Sequence, residues 1–353
     1  MKSNAAIEAL ASQIRHNCHI ADARQAGDYT LCVYLLKMRE LYRWEQGLPY
    51  GAPLGKDEVG AWLSAREELW ERVQDQPYRP LRIGGEEIDP FDSEAVNRFI
   101  LEQGYIYSAG LGQGGRAHFF LGRLLEHQQR QDCALYVAGS ELARDLTAPP
   151  AMARPAGDSS EVLIRRESVR RMIWERVEEW QWQRRESPMA RALAYYPVDE
   201  DLETALDALT ARELEVILAH ELGELEAGAL LGPGWRDLLA ALPPTWVEAA
   251  ARAVKDHLAD CLSTLPALIE SGDPASIHFY FGNFRGQRQL LFPALRQAYD
   301  HWVGSGDLEP LRESTRSGRR HWEEVANDML RLWRARGADG LDAVAEVLEH
   351  AAR

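Results

Sequence analysis

The sequence predicts a mainly α-helical protein, a multi-helix bundle with a small α+β insert at about residues 78–140. Three observations carry this. Apolar residues recur at spacings of three and four over most of the chain, which is the period of a helix with one buried face. Ser, Thr and Asp stand where such stretches begin, and Gly and Pro where they end. Only residues 78–140 carry short β-type runs separated by glycines. With 46% hydrophobic residues in 353, a sizeable core can form.

Taken in order, Ile7, Leu10, Ile14 and Cys18 line one face of a helix over 5–25, and Gly27-Asp28 ends it. Leu31, Tyr34, Leu35, Met38, Leu41 and Tyr42 stripe a second helix over 29–46, so the two predict an αα-hairpin. Gly47, Pro49, Gly51 and Pro53 form a loop. Asp57 then caps a third helix to Val73, with Trp62, Leu69 and Trp70 inward. These elements make a helical region over 1–77. Residues 78–160 hold the insert and a loop: a hairpin around Gly84-Gly85, a helix over 93–103 capped by Asp92 or Ser93, and β runs at 105–109, 117–124 and 134–138. The three prolines, Gly157 and two serines of 147–160 predict a linker.

A C-terminal bundle over 161–353 follows. A short strand at 161–165 leads into a helix over 168–185 with Met172, Ile173, Val177 and Trp180 on one face. Thr210-x-x-Glu213 and Thr245-x-x-Glu248 have the form of capping boxes, opening helices over 211–229 and 246–264. Gly232-Pro233-Gly234 stops the first, and Pro266 marks a break after the second. Further helices are expected near 286–303, 318–336 and 340–351. No internal repeat recurs.

Composition narrows the function. A formal charge of −15 argues against broad nucleic-acid binding, which needs a basic footprint. No apolar run reaches the roughly 18 residues of a membrane span. The N-terminus lacks the apolar core of a signal peptide, so a cytoplasmic location is expected. Cys18, Cys32, Cys133 and Cys261 form no close pair and are expected as reduced thiols. Eleven tryptophans predict large helix–helix contacts or a lined pocket, and make a homodimer an expectation.

The residues best placed for chemistry lie on the two capped helices. His220 and Glu224 are four apart, and His257 and Asp260 three apart, so each pair shares a helix face. Antiparallel packing of these helices would offer two imidazoles and two carboxylates to one iron, manganese or zinc ion. The spacing is not the Glu-x-x-His of carboxylate di-metal bundles. His220-Glu221 matches the start of a His-Glu-x-x-His zinc motif, but Glu224 replaces the second histidine. Glu221 and His278 are then candidate proton carriers in catalysis, and Arg165 and Arg166 candidate contacts for a small anionic substrate. The reaction so predicted is that of a metal-dependent oxidoreductase or hydrolase. The alternative is a non-catalytic helical binding or scaffold protein in which the same residues form buried salt bridges, with Arg252 or Lys255 pairing Glu221 or Glu224.

Other clusters carry bland and sharp readings side by side. His16, Cys18, His19, Asp22 and Cys32 are either a metal site or core packing, and the absence of a close Cys pair favours packing. The glycines of 110–115 precede a strand rather than a helix, so a β turn is expected rather than a phosphate loop. His278-Phe-Tyr-Phe-Gly-Asn-Phe284 is expected as an aromatic core corner.

The segments His16 to His19 through Arg43-Trp44-Glu45, Asp256-His-Leu-Ala-Asp-Cys261 and His278 to Phe284 resemble an uncharacterised bacterial protein family along most of the chain. The resemblance implies a bacterial, self-contained protein and no particular activity.

Overall fold

In the computed structural model, residues 2–112, 115–130, 133–156, 159–243 and 245–352 are described. Helix α1 (Lys2–Gln25) buries Ile7, Leu10, Ile14 and Cys18, the stripe its spacing predicts. Helices α2 (Leu31–Glu45) and α3 (Lys56–Val73) follow. Met38 and Leu41 pack with Ile20, Trp70 and Val73, whereas Leu31 and Leu35, from the same predicted stripe, stay exposed. Strands β1 (Leu81–Ile83) and β2 (Glu86–Ile88) pair antiparallel. Gly84 and Gly85 both take positive φ in the turn, as a tight hairpin of this twist requires. Helix α4 (Ser93–Ile100) is capped by Asp92, whose carboxylate accepts from Ala95 N.

The remaining strands are β3 (Tyr105–Leu111), β4 (Ala117–Arg130), β5 (Cys133–Arg144), β6 (Ala151–Ala156) and β7 (Ser159–Arg165). They form one mixed five-stranded sheet in the order β3-β4-β5-β7-β6. This corrects the mainly-α bundle with a small insert: the chain is 67% helical, but the sheet with the separate two-stranded hairpin is a major element of the N-terminal half. The outer part of β4, Glu126–Arg130, is polar and exposed, so it lacks the alternation that marks a strand. Strand β6 contains Pro155 and was expected as a linker; at a sheet edge a proline takes no donor from an inner ladder. Gln113 and Gly114 of the glycine-rich turn, and Gly157 of the linker, lie outside the described residues. Gly112 N donates to Arg116 O at 2.7 Å, which extends the β3–β4 pairing by one residue beyond Leu111 and Ala117.

Edge strand β3 is covered by α4. Asn97 Nδ2 donates to Tyr107 O at 2.9 Å, and Tyr107 N donates to Asn97 Oδ1 at 2.8 Å. Ala109 N donates to Ser93 Oγ at 2.9 Å. These side chains satisfy backbone groups that an uncovered edge would present to another chain.

The chain divides into two units. Unit 1 comprises Met1–Gln129, Leu135–Pro150 and Leu163–Arg171; unit 2 comprises Arg130–Ala134, Ala151–Val162 and Met172–Arg353. Unit 2 takes most of α5 (Arg166–Gln183), then α6 (Pro188–Leu193), α7 (Leu202–Leu231), α8 (Pro233–Ala241) and α9 (Trp246–Ala259). A π-helical turn, Asp260–Thr264, joins α9 to α10 (Leu265–Ser271). Helices α11 (Pro274–Asn283), α12 (Gln287–Leu291), α13 (Pro293–Ser305), α14 (Glu309–Arg336) and α15 (Leu341–Glu349) complete it. Its core centres on Trp322, Phe292, Phe284 and Tyr299, all at most 1% exposed. Each such side chain contributes roughly 1.5–3 kcal/mol by leaving water. No described helix is long and apolar enough to cross a membrane.

Several expected boundaries move, the helix over 286–303 dividing into α12 and α13 and that over 318–336 starting at Glu309. Helix α7 starts at Asp201, not Thr210: the Asp201 carboxylate accepts from Thr204 N, while the Thr210 hydroxyl, well inside the helix, donates to Leu206 O. Pro266 does not break the second helix. Leu265 N reaches back five residues to Asp260 O, and the π turn carries the chain into α10 with Pro266 in its first turn. Thr245 does cap α9, but Glu248 pairs with Arg252 at 2.7 Å instead of closing a capping box.

Candidate functional site: the Asp260 polar cluster of unit 2

Helix α7 lies against the π turn because Gly223 has no side chain. A Cβ there would stand 2.3 Å from Ala259 O. This approach sets His220, one turn before Gly223, opposite Asp260, the first residue of the π turn. The His220 Nδ1 to Asp260 Oδ1 distance is 2.9 Å. The other carboxylate oxygen, Oδ2, accepts from Tyr280 OH at 2.6 Å and from Arg288 Nη2. Arg288 Nη2 also donates to Tyr280 OH at 3.1 Å, which leaves the phenolic proton for Asp260. Asp260 is 1% exposed, while the His220 and Arg288 side chains keep 30% and 25% of their surface. The cluster is therefore a buried anion with partly exposed cationic partners.

Charge state follows from this geometry. Burial would raise the Asp260 pKa, but Arg288 and His220 hold it well below the usual carboxylate range. Burial would lower that of His220; the Asp260 hydrogen bond and the charges of Asp260 and Glu224 outweigh it and carry it up to about 9. At neutral pH the pair is imidazolium and carboxylate. Glu224 pairs with Lys255 of α9, as one of the expected salt bridges has it. Glu221 is pushed by burial up to about 7 and Asp256 up to about 6.

The other predicted residues are placed elsewhere. His257 is 1% exposed among aromatic rings, stacked on Trp322 at 4.7 Å and edge-on to Phe292 at 5.4 Å. Burial and the Arg288 charge lower its pKa to about 3, so it is a neutral core residue. His278 is also buried. Its Nδ1 is 2.8 Å from Tyr299 OH, which accepts in turn from Arg191 at 3.4 Å. Burial and the Arg191 charge lower its pKa to about 4. Glu213 is not a cap: it accepts from Ser276 Oγ at 2.8 Å, and burial pushes it up to about 8. Among the described residues, no three His, Cys, Asp or Glu side chains are grouped to hold a metal ion. Tyr280 and Arg288 complete the cluster. Their only trace in the sequence is the aromatic run after His278 and the arginines that follow it.

Unit 1 holds Arg165 and half-buried Arg166. Arg165 donates to Glu141 Oε1 through Nη2 at 2.7 Å and Nε at 3.1 Å, and to Pro149 O through Nη1 at 3.0 Å. Arg171 at 3.4 Å and Arg144 at 3.5 Å approach the other Glu141 oxygen. The N-terminal cluster is dispersed. Cys18 is buried with Sγ 3.7 Å from Phe119 O, Asp22 accepts from Leu146 N, and Cys32 is exposed.

No curated protein matches the chain, and no solved structure does. Two family models do, the N-terminal domain of a family of unknown function (DUF6866) over residues 9–165 and its C-terminal domain over 170–351. The chain thus belongs to the DUF6866 family, whose function is unknown, with the Asp260 cluster in the C-terminal domain.

Proposed function

We propose that the protein is a non-catalytic helical binding or scaffold protein, in which His220, Glu224 and Asp260 lock helices together as ion pairs. One observation carries this reading: both Asp260 oxygens are engaged by donors, His220 on one and Tyr280 with Arg288 on the other. A carboxylate so engaged has three of its roughly four acceptor sites taken by the protein. The second of the two histidines, His257, is held in an aromatic box. Metal analysis of the purified protein tests it. Metal-free protein whose thermal midpoint is unchanged in chelator is the expected result. Stoichiometric iron, manganese or zinc that is lost in the His220→Ala, His257→Ala double variant overturns it.

A metal-dependent oxidoreductase or hydrolase acting on a small anionic substrate is the second reading. It is favoured by Glu221, held at about 7 beside a partly exposed His220, since a carboxyl titrating near neutrality suits proton transfer. The same measurement decides between the two.

A further inference from the structure

The first half of α2 is apolar and uncovered. Leu31 is 70% exposed, Leu35 45%, Val33 42% and Leu36 39%, and Cys32 is exposed beside them. On a helix Leu31, Cys32, Leu35 and Leu36 share one broad face, with Val33 at its margin. The neighbouring face, with Tyr34 and Met38, is turned to α3. Tyr34 OH donates to Glu67 at 3.0 Å, and Met38 packs with Trp70. The apolar stripe predicted for this helix is thus buried only in its second half.

A single exposed leucine is ordinary on a protein surface, whereas contiguous ones mark a contact site. Among the described residues, no other helix carries more than one of the large exposed apolar side chains. Covering a side chain of this kind removes roughly 60–120 Å² from water. At the exposures given, the patch supplies on the order of 150–300 Å² per copy, which suits the centre of an interface at the small, transient end of the range.

The charge pattern selects the occupant. The whole chain carries −15, so two copies repel at long range. Residues 29–36 hold no charged side chain, so two copies meeting through this face oppose no like charges at its centre. Asp28 stands just before the helix. Its side chain is 49% exposed and pairs at the surface with Arg116 at 3.0 Å. Lys37 and Arg39 follow the apolar stretch. An acid at one end, an uncharged centre and bases at the other end make the face complementary to itself about a two-fold axis. In an antiparallel pair centred between Val33 and Tyr34, Asp28 of one copy lies level with Arg39 of the other.

We propose that this face docks a second copy of the chain, the two α2 helices packed antiparallel about a two-fold axis. The small patch makes the dimer weak, with dissociation in the micromolar range. The face belongs to unit 1 and the Asp260 cluster to unit 2, so a negative result here leaves the reading above untouched. Sedimentation velocity on the full chain, from one micromolar to half-millimolar, should show a monomer–dimer equilibrium. Leu31→Lys with Leu35→Lys should weaken it at least tenfold at an unchanged thermal midpoint, because both side chains are exposed in the monomer. The added lysines reduce the net negative charge, so that loss cannot come from general repulsion. Leu290→Lys, an equally exposed leucine on α12, should leave the dimer unchanged. In a Cys133→Ser background Cys32 is the one thiol that is not buried. Antiparallel helices 8–10 Å apart set the two Cys32 Cα atoms roughly 9–11 Å from each other, beyond the ~7 Å a disulfide spans, so a short bismaleimide should join them. A monomer at every concentration overturns the proposal, as does a dimer that the double lysine variant leaves intact. So does an equal loss in Leu290→Lys, or a dimer in which Cys32 fails to cross-link.

Discussion

Gly223 on α7 meets the Ala259 carbonyl at the start of the π turn so closely that an added Cβ would stand 2.3 Å from the oxygen. The contact between His220 and Asp260 depends on that approach. Gly223→Ala must push α7 outward or bend the π turn. Overpacking of this kind costs about 1–3 kcal/mol, offset in part by the better helix propensity of alanine. A lower denaturant midpoint, with His220 no longer shifted in an NMR titration, is the expected result. A variant as stable as the parent would show that the approach is not tight.

Asp260 and Tyr280 should respond unequally. Asp260→Asn leaves the Arg288 guanidinium facing an uncharged amide in a buried position and removes the main cause of the raised His220 pKa. Removing one partner of a buried ion pair costs about 3–5 kcal/mol. Tyr280→Phe removes one hydrogen bond to a charged group, about 1.5–3 kcal/mol. Urea unfolding of both variants gives the order, and a larger loss for Tyr280→Phe would place the anchor on the wrong residue.

The cluster makes stability fall as pH rises. The pKa of His220 is raised from 6.5 to about 9, so its contribution is full below pH 6.5 and lost on passing through 9. That of Glu221 is raised from 4.5 to about 7, so the fold holds its proton more tightly than the open chain, and stability declines over that lower window. Above pH 6.5, where His257 and His278 are neutral in fold and open chain alike, midpoints should slope downward, and His220→Gln should flatten that slope. Below 6.5 those two histidines oppose Glu221, and Glu221→Gln should make the midpoint rise more steeply with pH. An unchanged slope in both variants would remove these groups as its source.

In unit 1, Glu141 carries the opposite sign of burden. Its side chain is fully buried among Arg144, Arg165 and Arg171. Burial would raise its pKa, but the three arginines lower it to about 2. Glu141→Gln should cost about 3–5 kcal/mol, since guanidiniums are left without a counter-charge. Arg144 is different: its Nε and Nη2 are buried without a hydrogen bond among the described residues. Arg144→Met should therefore cost less than Glu141→Gln, because an apolar chain of similar length fits a position where the charge is imperfectly paired. Thermal unfolding of the two variants ranks them.

Helices were legible because their signal is local. The stripe of α1, the Asp92 and Thr245 caps and the glycine hairpin are all written within a few residues of one another. The long strands were not. Polar Glu126–Arg130 and the proline-bearing β6 become strands through neighbours distant in the chain, and no alternation inside them records that pairing. The same division holds for the cluster. Sequence by itself determined that His220 and Glu224 share a face and that Asp260 falls on a helical segment, and it offered Arg252 or Lys255 as partners for Glu221 or Glu224. Tertiary structure alone decided that Asp260 meets His220, Tyr280 and Arg288 while His257, three residues away, turns into aromatic rings. The reason is geometric. A spacing of three in a regular helix implies one face, but which neighbour each side chain meets is set by the π turn and by the bare Gly223 that lets α7 come in, and both act across contacts some 40 residues apart in the chain.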